Sequence, residues 1–371
     1  MCFQQVQRLF PTLRLNHNPE SRFNLASGVR NVLDIEVPLG DNQTQTVSEV
    51  LAATHTDAFV VLKGNTIVAE HYFNGMTVDS HHLLNSVSKS YVGMLAGIAA
   101  ERGLLDPAEP LTKYLPEFAD SGWAGASVRD LLDMTSGTHY TEEYSEPTVS
   151  FWQEASVVGW KPELKLADTP SCLFEYALSL KETNQQHGES FYYRTVCTNV
   201  LGMVIERAMQ KSLAELLNEE LWGKLRTRHD GVLVVDPQGF PYVGAGLSTC
   251  ARDLALFGLM LLNDGKLDGE QIIPAAWIED TLQGNRTCKA CLADSKYGEI
   301  MPGWHYRNQF WVPALGRDVL LGLGIHGQAL FVDKTTQTVI VKFSSQPTME
   351  IIEMHMAGIA AMDAVSVALA E

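Results

Sequence analysis

Two pairs of β-rich runs, one towards each end of the chain, bracket a long middle with helical periodicity. The first pair, residues 58–63 and 66–73, is separated by Gly64 and Asn65, two residue types that accept positive φ and close a hairpin. The second, residues 329–333 and 338–343, flanks Lys334-Thr-Thr. Between them, residues 128–134, 199–207, 213–222 and 251–262 are apolar at helical spacing, and a last helix is expected from about Met349 onward. This order predicts an α+β fold, with one antiparallel sheet closed by the N- and C-terminal segments, helices flanking it, and a mainly helical subdomain inserted. The expected boundaries are an irregular N-terminal arm over 1–45 and one domain over 46–371. Its α/β part covers about 46–105 and 245–371, its helical insert about 106–244, with a cleft between them.

Charge narrows the partners. The net charge of −17 repels nucleic acid and anionic membrane surfaces unless a local basic patch overrides it, and no such patch occurs. The first residues lack a basic head followed by an apolar run, and no apolar stretch reaches bilayer length without polar interruption. A soluble, cytoplasmic protein acting on a small molecule is expected, with room for a homodimer. Six cysteines, Cys2, Cys172, Cys197, Cys250, Cys288 and Cys291, are too sparse for a disulfide scaffold and fit a reducing compartment. Cys288-Lys-Ala-Cys291 has no second Cys or His pair at zinc spacing, so neither a metal nor a redox cofactor is expected.

The chemistry concentrates at Ser86-Val-Ser-Lys89, just ahead of the apolar stretch 91–100, which reads as a buried helix. A serine and a lysine three apart share one helical face. A serine hydroxyl is a poor nucleophile until a base takes its proton, and a lysine pushed towards its neutral form is such a base. Tyr193 precedes an apolar helix and can project its phenol into a cleft for acid/base work. Residues 322–328 match G-x-G-x-x-G formally, but a strand follows where the dinucleotide fingerprint needs a helix. A glycine-flanked strand edge instead offers backbone donors, and the N–H groups of Ser86 and Gln328 are the expected oxyanion hole. G-x-S-x-G, H-E-x-x-H and G-x-x-x-x-G-K-[ST] are all missing from the sequence.

Taken together and in this order, Ser86-Val-Ser-Lys89, Tyr193-Arg-Thr195 and His326-Gly-Gln328 resemble the three signature elements of β-lactamase-type serine hydrolases. Within them the likeness is closest to the 6-aminohexanoate-dimer hydrolase group and the related family VIII carboxylesterases. Residues 128–137, Glu142-Glu-Tyr144, 246–253 and 306–311 support it. The resemblance implies a β-lactamase/transpeptidase-like fold, with Ser86 as the acylated serine, Lys89 as general base and Tyr193 as proton relay. It also implies that Tyr144 contacts the substrate amide, with His326, Gly327 and Gln328 at the substrate-binding strand edge. Two departures stand out. Ile325-His326-Gly327 replaces Lys-Thr-Gly, removing the cation that holds a β-lactam carboxylate, and Thr195 replaces the asparagine of Tyr-x-Asn. Both turn the expectation away from β-lactams and towards small linear amides or esters. A carboxylesterase, or a non-catalytic binding protein of the same fold, are the alternatives.

Overall fold

The computed structural model describes residues 3–40, 43–146, 149–349 and 352–370; Cys2 lies outside them. Eight strands make the main sheet. In chain order they are β1 (Ala26–Ser27), β2 (Thr56–Lys63), β3 (Thr66–Tyr72), β4 (His305–Arg307), β5 (Phe310–Val312), β6 (Val319–Gly324), β7 (Gln328–Asp333) and β8 (Thr338–Ser344). Their spatial order is β4-β5-β6-β7-β8-β2-β3-β1, antiparallel except for the parallel pair β1 and β3. The two predicted hairpins therefore lie side by side, with β8 against β2 from Thr338↔Lys63 to Ser344↔Thr56. Lys63 and Thr66 pair across the two-residue turn, where Gly64 takes φ +55°. That positive φ matches the twist of the strands it joins.

Residues Thr56–Leu62 are all buried, so this strand is covered on both faces. Along β8, side chains alternate between the faces. A Cβ on Gly258 would lie 2.5 Å from Val339 Cγ1, and one on Gly358 3.6 Å from Lys342 Cε. Val339 and Lys342 differ in parity, so helices Ala251–Leu262 and Ile352–Ala368 cover opposite faces.

Helix α1 (Ser88–Glu101) is buried from Ser88 to Ala99, as expected of that apolar stretch. Its small residues allow close approach: a Cβ on Gly93 would sit 2.1 Å from the Asn308 carbonyl oxygen, and one on Gly97 2.6 Å from the Trp277 ring. Helix α2 (Thr195–Met209) packs beside it.

Two expectations are corrected. Residues 1–45 are not irregular throughout: Thr12–Leu15 pairs with Gly231–Val234, Ala26–Ser27 joins the main sheet, and Glu36–Pro38 pairs with Thr44–Thr46. These strands are two to four residues long, too short for alternation to register. The helical insert also contributes a strand, since Gly231–Val234 pairs with Leu247–Thr249 in a second, four-stranded sheet. Among the described residues, no helix is long and apolar enough to cross a membrane, and no His/Cys/Asp/Glu group is placed to hold a metal.

Candidate active site

Asn85 opens the site. It enters the 3₁₀ turn Asn85–Val87 at φ +48°, a left-handed conformation that asparagine tolerates better than most residues. Its Nδ2 donates to the Ile325 carbonyl at 3.0 Å, tying the turn to the β6–β7 connection. Ser86 thereby stands at the head of α1, 8 % exposed and facing the cleft.

One helical turn on, Lys89 is 1 % exposed. Its Nζ donates to Ser86 Oγ at 2.9 Å, Thr195 Oγ1 at 3.0 Å and the Gly244 carbonyl at 2.6 Å. An ammonium has three hydrogens, and three acceptors meet them. Burial pushes Lys89 down to about 8, while the negative charges of Glu142 and Glu154 oppose the fall.

Those two carboxyls reach Lys89 through intermediates. Glu142 Oε2 accepts the Thr195 N–H at 2.6 Å, and its Oε1 accepts the hydroxyls of Thr195 and Tyr144, each at 2.8 Å. Glu154 accepts from Tyr140 Oη at 2.5 Å and Asn199 Nδ2 at 2.6 Å, and Asn199 Oδ1 accepts the Gly244 N–H at 2.9 Å. Burial raises Glu154 to about 7, against the pull of both hydrogen bonds.

Tyr193 lies in the loop that leads into α2. Its ring stacks on Trp311 at 5.8 Å between centroids and meets Tyr306 edge-on at 6.0 Å. Lys89 Nζ lies 5.0 Å from the Tyr193 ring centroid, within cation–π range. Ser86, Tyr193 and Tyr144 line one cleft, whose walls are Tyr297, Met301, Trp311, Leu323 and Met356. Tyr144 also borders a wider neighbouring cleft with Trp152, Trp160 and His326.

The strand-edge expectation needs revision. Gln328 is fully buried, and its side chain accepts the Ser344 N–H and donates to the Ser344 carbonyl, holding β7 to β8. Gly327 takes φ +88° and packs on Gln346. His326 shares a hydrogen bond with the Gln346 carbonyl at 2.7 Å through Nδ1 and faces the wider cleft. Gly324 and Ile325 line the Ser86 cleft instead. A Cβ on Gly324 would lie 3.2 Å from Ser86 N, so the backbone passing Ser86 is the end of β6. Gln328 has already crossed the turn to the next strand.

Sequence reasoning missed Glu142, Glu154, Thr195 and Gly244 as members of the network. A carboxylate inside an apolar helical stretch, as at Glu154 in Ser150–Val157, is the one local signal that could have pointed there. Cys288 and Cys291 are buried, and burial pushes both thiols up, away from the reactive thiolate.

The β-lactamase family profile matches residues 44–356. A 6-aminohexanoate-dimer hydrolase from Paenarthrobacter ureafaciens is 36 % identical over 305 residues, covering 82 % of this chain and 76 % of that one. A solved Bacillus anthracis structure, provisionally named a 6-aminohexanoate-dimer hydrolase, superposes with a TM-score of 0.85 at 26 % identity, over 99 % of this chain and 93 % of the other. A family VIII carboxylesterase shares the fold with a TM-score of 0.58 at 18 % identity, over 85 % and 96 % of the two chains.

Proposed function

The chain belongs to the β-lactamase family of serine hydrolases, and from that premise we propose that it hydrolyses small linear amides, of the 6-aminohexanoate-dimer type, through an acyl-enzyme on Ser86. The observation that carries this reading is the 2.9 Å contact between Lys89 Nζ and Ser86 Oγ, made by a lysine that burial holds near 8. At pH 7 such a lysine is neutral in roughly a tenth of molecules, a usable population of base.

In this mechanism the Ser86 proton passes to Lys89 as Oγ attacks the substrate carbonyl. The developing oxyanion is met by the Ser86 N–H and a backbone donor from the Gly324–Ile325 segment. Tyr193 relays the proton to the leaving nitrogen, and Tyr144 contacts the amide. Water, activated by Lys89 and Tyr193, then releases the acyl group. Thr195 supplies a hydroxyl where a β-lactamase offers an amide, which supports the shift away from β-lactams.

Ester hydrolysis is the second reading, favoured by the apolar cleft walls, because a good leaving group needs less help from Tyr193 and Tyr144. Turnover of the linear 6-aminohexanoate dimer beside p-nitrophenyl butyrate, by the wild type and Ser86→Ala, tests both. Serine-dependent turnover of both substrates supports the amidase, and ester turnover alone moves the assignment to a carboxylesterase. If neither is hydrolysed and an alkylphosphonate leaves Ser86 unlabelled, the proposal is refuted.

A further inference from the structure

We infer that Glu142 is a positioning residue: by fixing the direction of the Thr195 hydroxyl hydrogen, it aims the Lys89 lone pair at Ser86. The inference rests on Lys89 acting as the base. A neutral lysine has two N–H hydrogens and one lone pair, and among the described residues Lys89 Nζ hydrogen-bonds to three, Ser86 Oγ, Thr195 Oγ1 and the Gly244 carbonyl. A carbonyl oxygen only accepts, so Gly244 takes one N–H. Thr195 is ambiguous, because a hydroxyl either accepts from the amine or donates to its lone pair. If it donates, the lone pair is occupied and Ser86 has no base.

Glu142 removes the ambiguity. Its Oε1 takes the single hydroxyl hydrogen of Thr195 at 2.8 Å, while its Oε2 takes the Thr195 N–H at 2.6 Å. With that hydrogen committed, Thr195 Oγ1 accepts the second Lys89 N–H, and of these three hydrogen-bond partners the Ser86 hydroxyl is the one that can donate to the lone pair. The Ser86 O–H bond then breaks as a new N–H bond forms on Lys89, and the freed Oγ pair bonds the acyl carbon. The resulting ammonium donates to all three neighbours without any of them turning. Glu142 is 7 % exposed and touches neither Ser86 nor the site of bond exchange; it directs the lone pair through Thr195, while its Oε1 also holds the Tyr144 hydroxyl and its charge acts on Lys89, which is why an ester that does not call on Tyr144 is the test substrate. The other groups acting on Lys89 are Glu154, the Cys197 thiol and the Tyr193 ring.

Glu142→Gln tests this, because the Thr195 N–H is an obligate donor. It draws the glutamine oxygen to itself and leaves the glutamine NH₂ facing Thr195 Oγ1, which releases the hydroxyl hydrogen towards Lys89. In single-turnover acylation by p-nitrophenyl butyrate, Glu142→Gln is expected to be about 100-fold slow and Thr195→Val about tenfold slow. The pair Glu142→Gln/Thr195→Val is expected to be no slower than Thr195→Val alone, since the misdirected hydroxyl is gone. The acid limb of kcat/KM should also move to lower pH in Glu142→Gln, as a negative charge facing Lys89 is lost, a change that mere loosening does not produce. If Glu142→Gln misfolds, Glu142→Asp against Glu142→Asn reads the same contrast, with the aspartate keeping acceptor-only chemistry and an unmoved limb.

Losses that multiply in the double variant, or acylation by Glu142→Gln within threefold of wild type, overturn the inference. In either case an inactive Ser86→Ala leaves the proposed function standing. Turnover that survives Ser86→Ala removes both.

Discussion

Burying Lys89 makes a measurable demand on the folded state. Its folded value is about 8 against 10.5 for an ordinary lysine, so the unfolded chain binds the proton more tightly. Below pH 8 both states are protonated and the folded state bears the whole difference, about 3 kcal/mol at 1.36 kcal/mol per tenfold change in proton affinity. Between 8 and 10.5 the folded protein releases the proton first, and stability rises with pH. Evaluated at pH 7 and pH 9.5, the burden falls by about 2 kcal/mol. Lys89→Met removes the titration. The three acceptors it orphans, Ser86 Oγ, Thr195 Oγ1 and the Gly244 carbonyl, shift overall stability but do not themselves titrate in this window. Urea unfolding at the two pH values, for wild type and variant, reads the lysine together with its effect on Glu154, whose carboxyl the Lys89 charge lowers and which therefore titrates higher in the variant, losing it further stability as pH rises. The wild type should gain at least about 2 kcal/mol more than the variant on going to pH 9.5. Equal gains would mean that Lys89 is not held below its ordinary value, and the base assignment would lose its physical support.

The remaining predictions concern rate and packing. If neutral Lys89 is the base, kcat/KM for p-nitrophenyl butyrate should rise through a pKa of about 8, as a pH–rate profile would reveal, and Lys89→Ala should lower acylation by more than about 10³. Gly324→Ala would bring a methyl group to 2.6 Å from the Leu84 carbonyl oxygen and 3.2 Å from Ser86 N; stopped-flow acylation should fall by at least about 100-fold, beyond any loss of folded protein seen by circular dichroism. Cys288→Ser/Cys291→Ser should keep wild-type turnover, measured in the same ester assay, since both thiols are buried outside the cleft walls.

The parts of this protein that could be read from its sequence are those specified by neighbours along the chain. The hairpin around Gly64 and Asn65, the buried helix after Ser86 and the Ser86–Lys89 spacing all depend on residues a few positions apart, where periodicity and turn chemistry act. Glu142, Thr195 and Gly244 are far from Lys89 in sequence and meet it through tertiary packing, so no local pattern announces them. Glu142 and Glu143 look alike on paper, yet one is buried against Thr195 and the other lies exposed beside Lys296. The expected donor Gln328 lies beyond the turn between β6 and β7, and it is Gly324 and Ile325 that stand beside Ser86, a proximity set by where the chain turns back and not by the glycine pattern itself. Thr46 and Glu49 form a capping box that starts helix Val47–Ala53, a local T-x-x-E signal of the kind that neighbours along the chain specify.

The pairing of β8 with β2 couples residues nearly 280 positions apart, and it dictates when the protein can fold during synthesis. Strand β2 and its hairpin partner leave the ribosome long before β8 exists, so one side of a strand with an apolar centre, residues 58–62, waits unpaired while the helical middle is made. Loop closure over such a span is slow relative to local helix formation. The backbone beside Ser86 belongs to β6, which joins the early hairpin only through β7 and β8. A nascent chain therefore carries Ser86 for most of translation without the β6 backbone that stands beside it in the folded protein, and the proposed site is complete only once the last strand has paired.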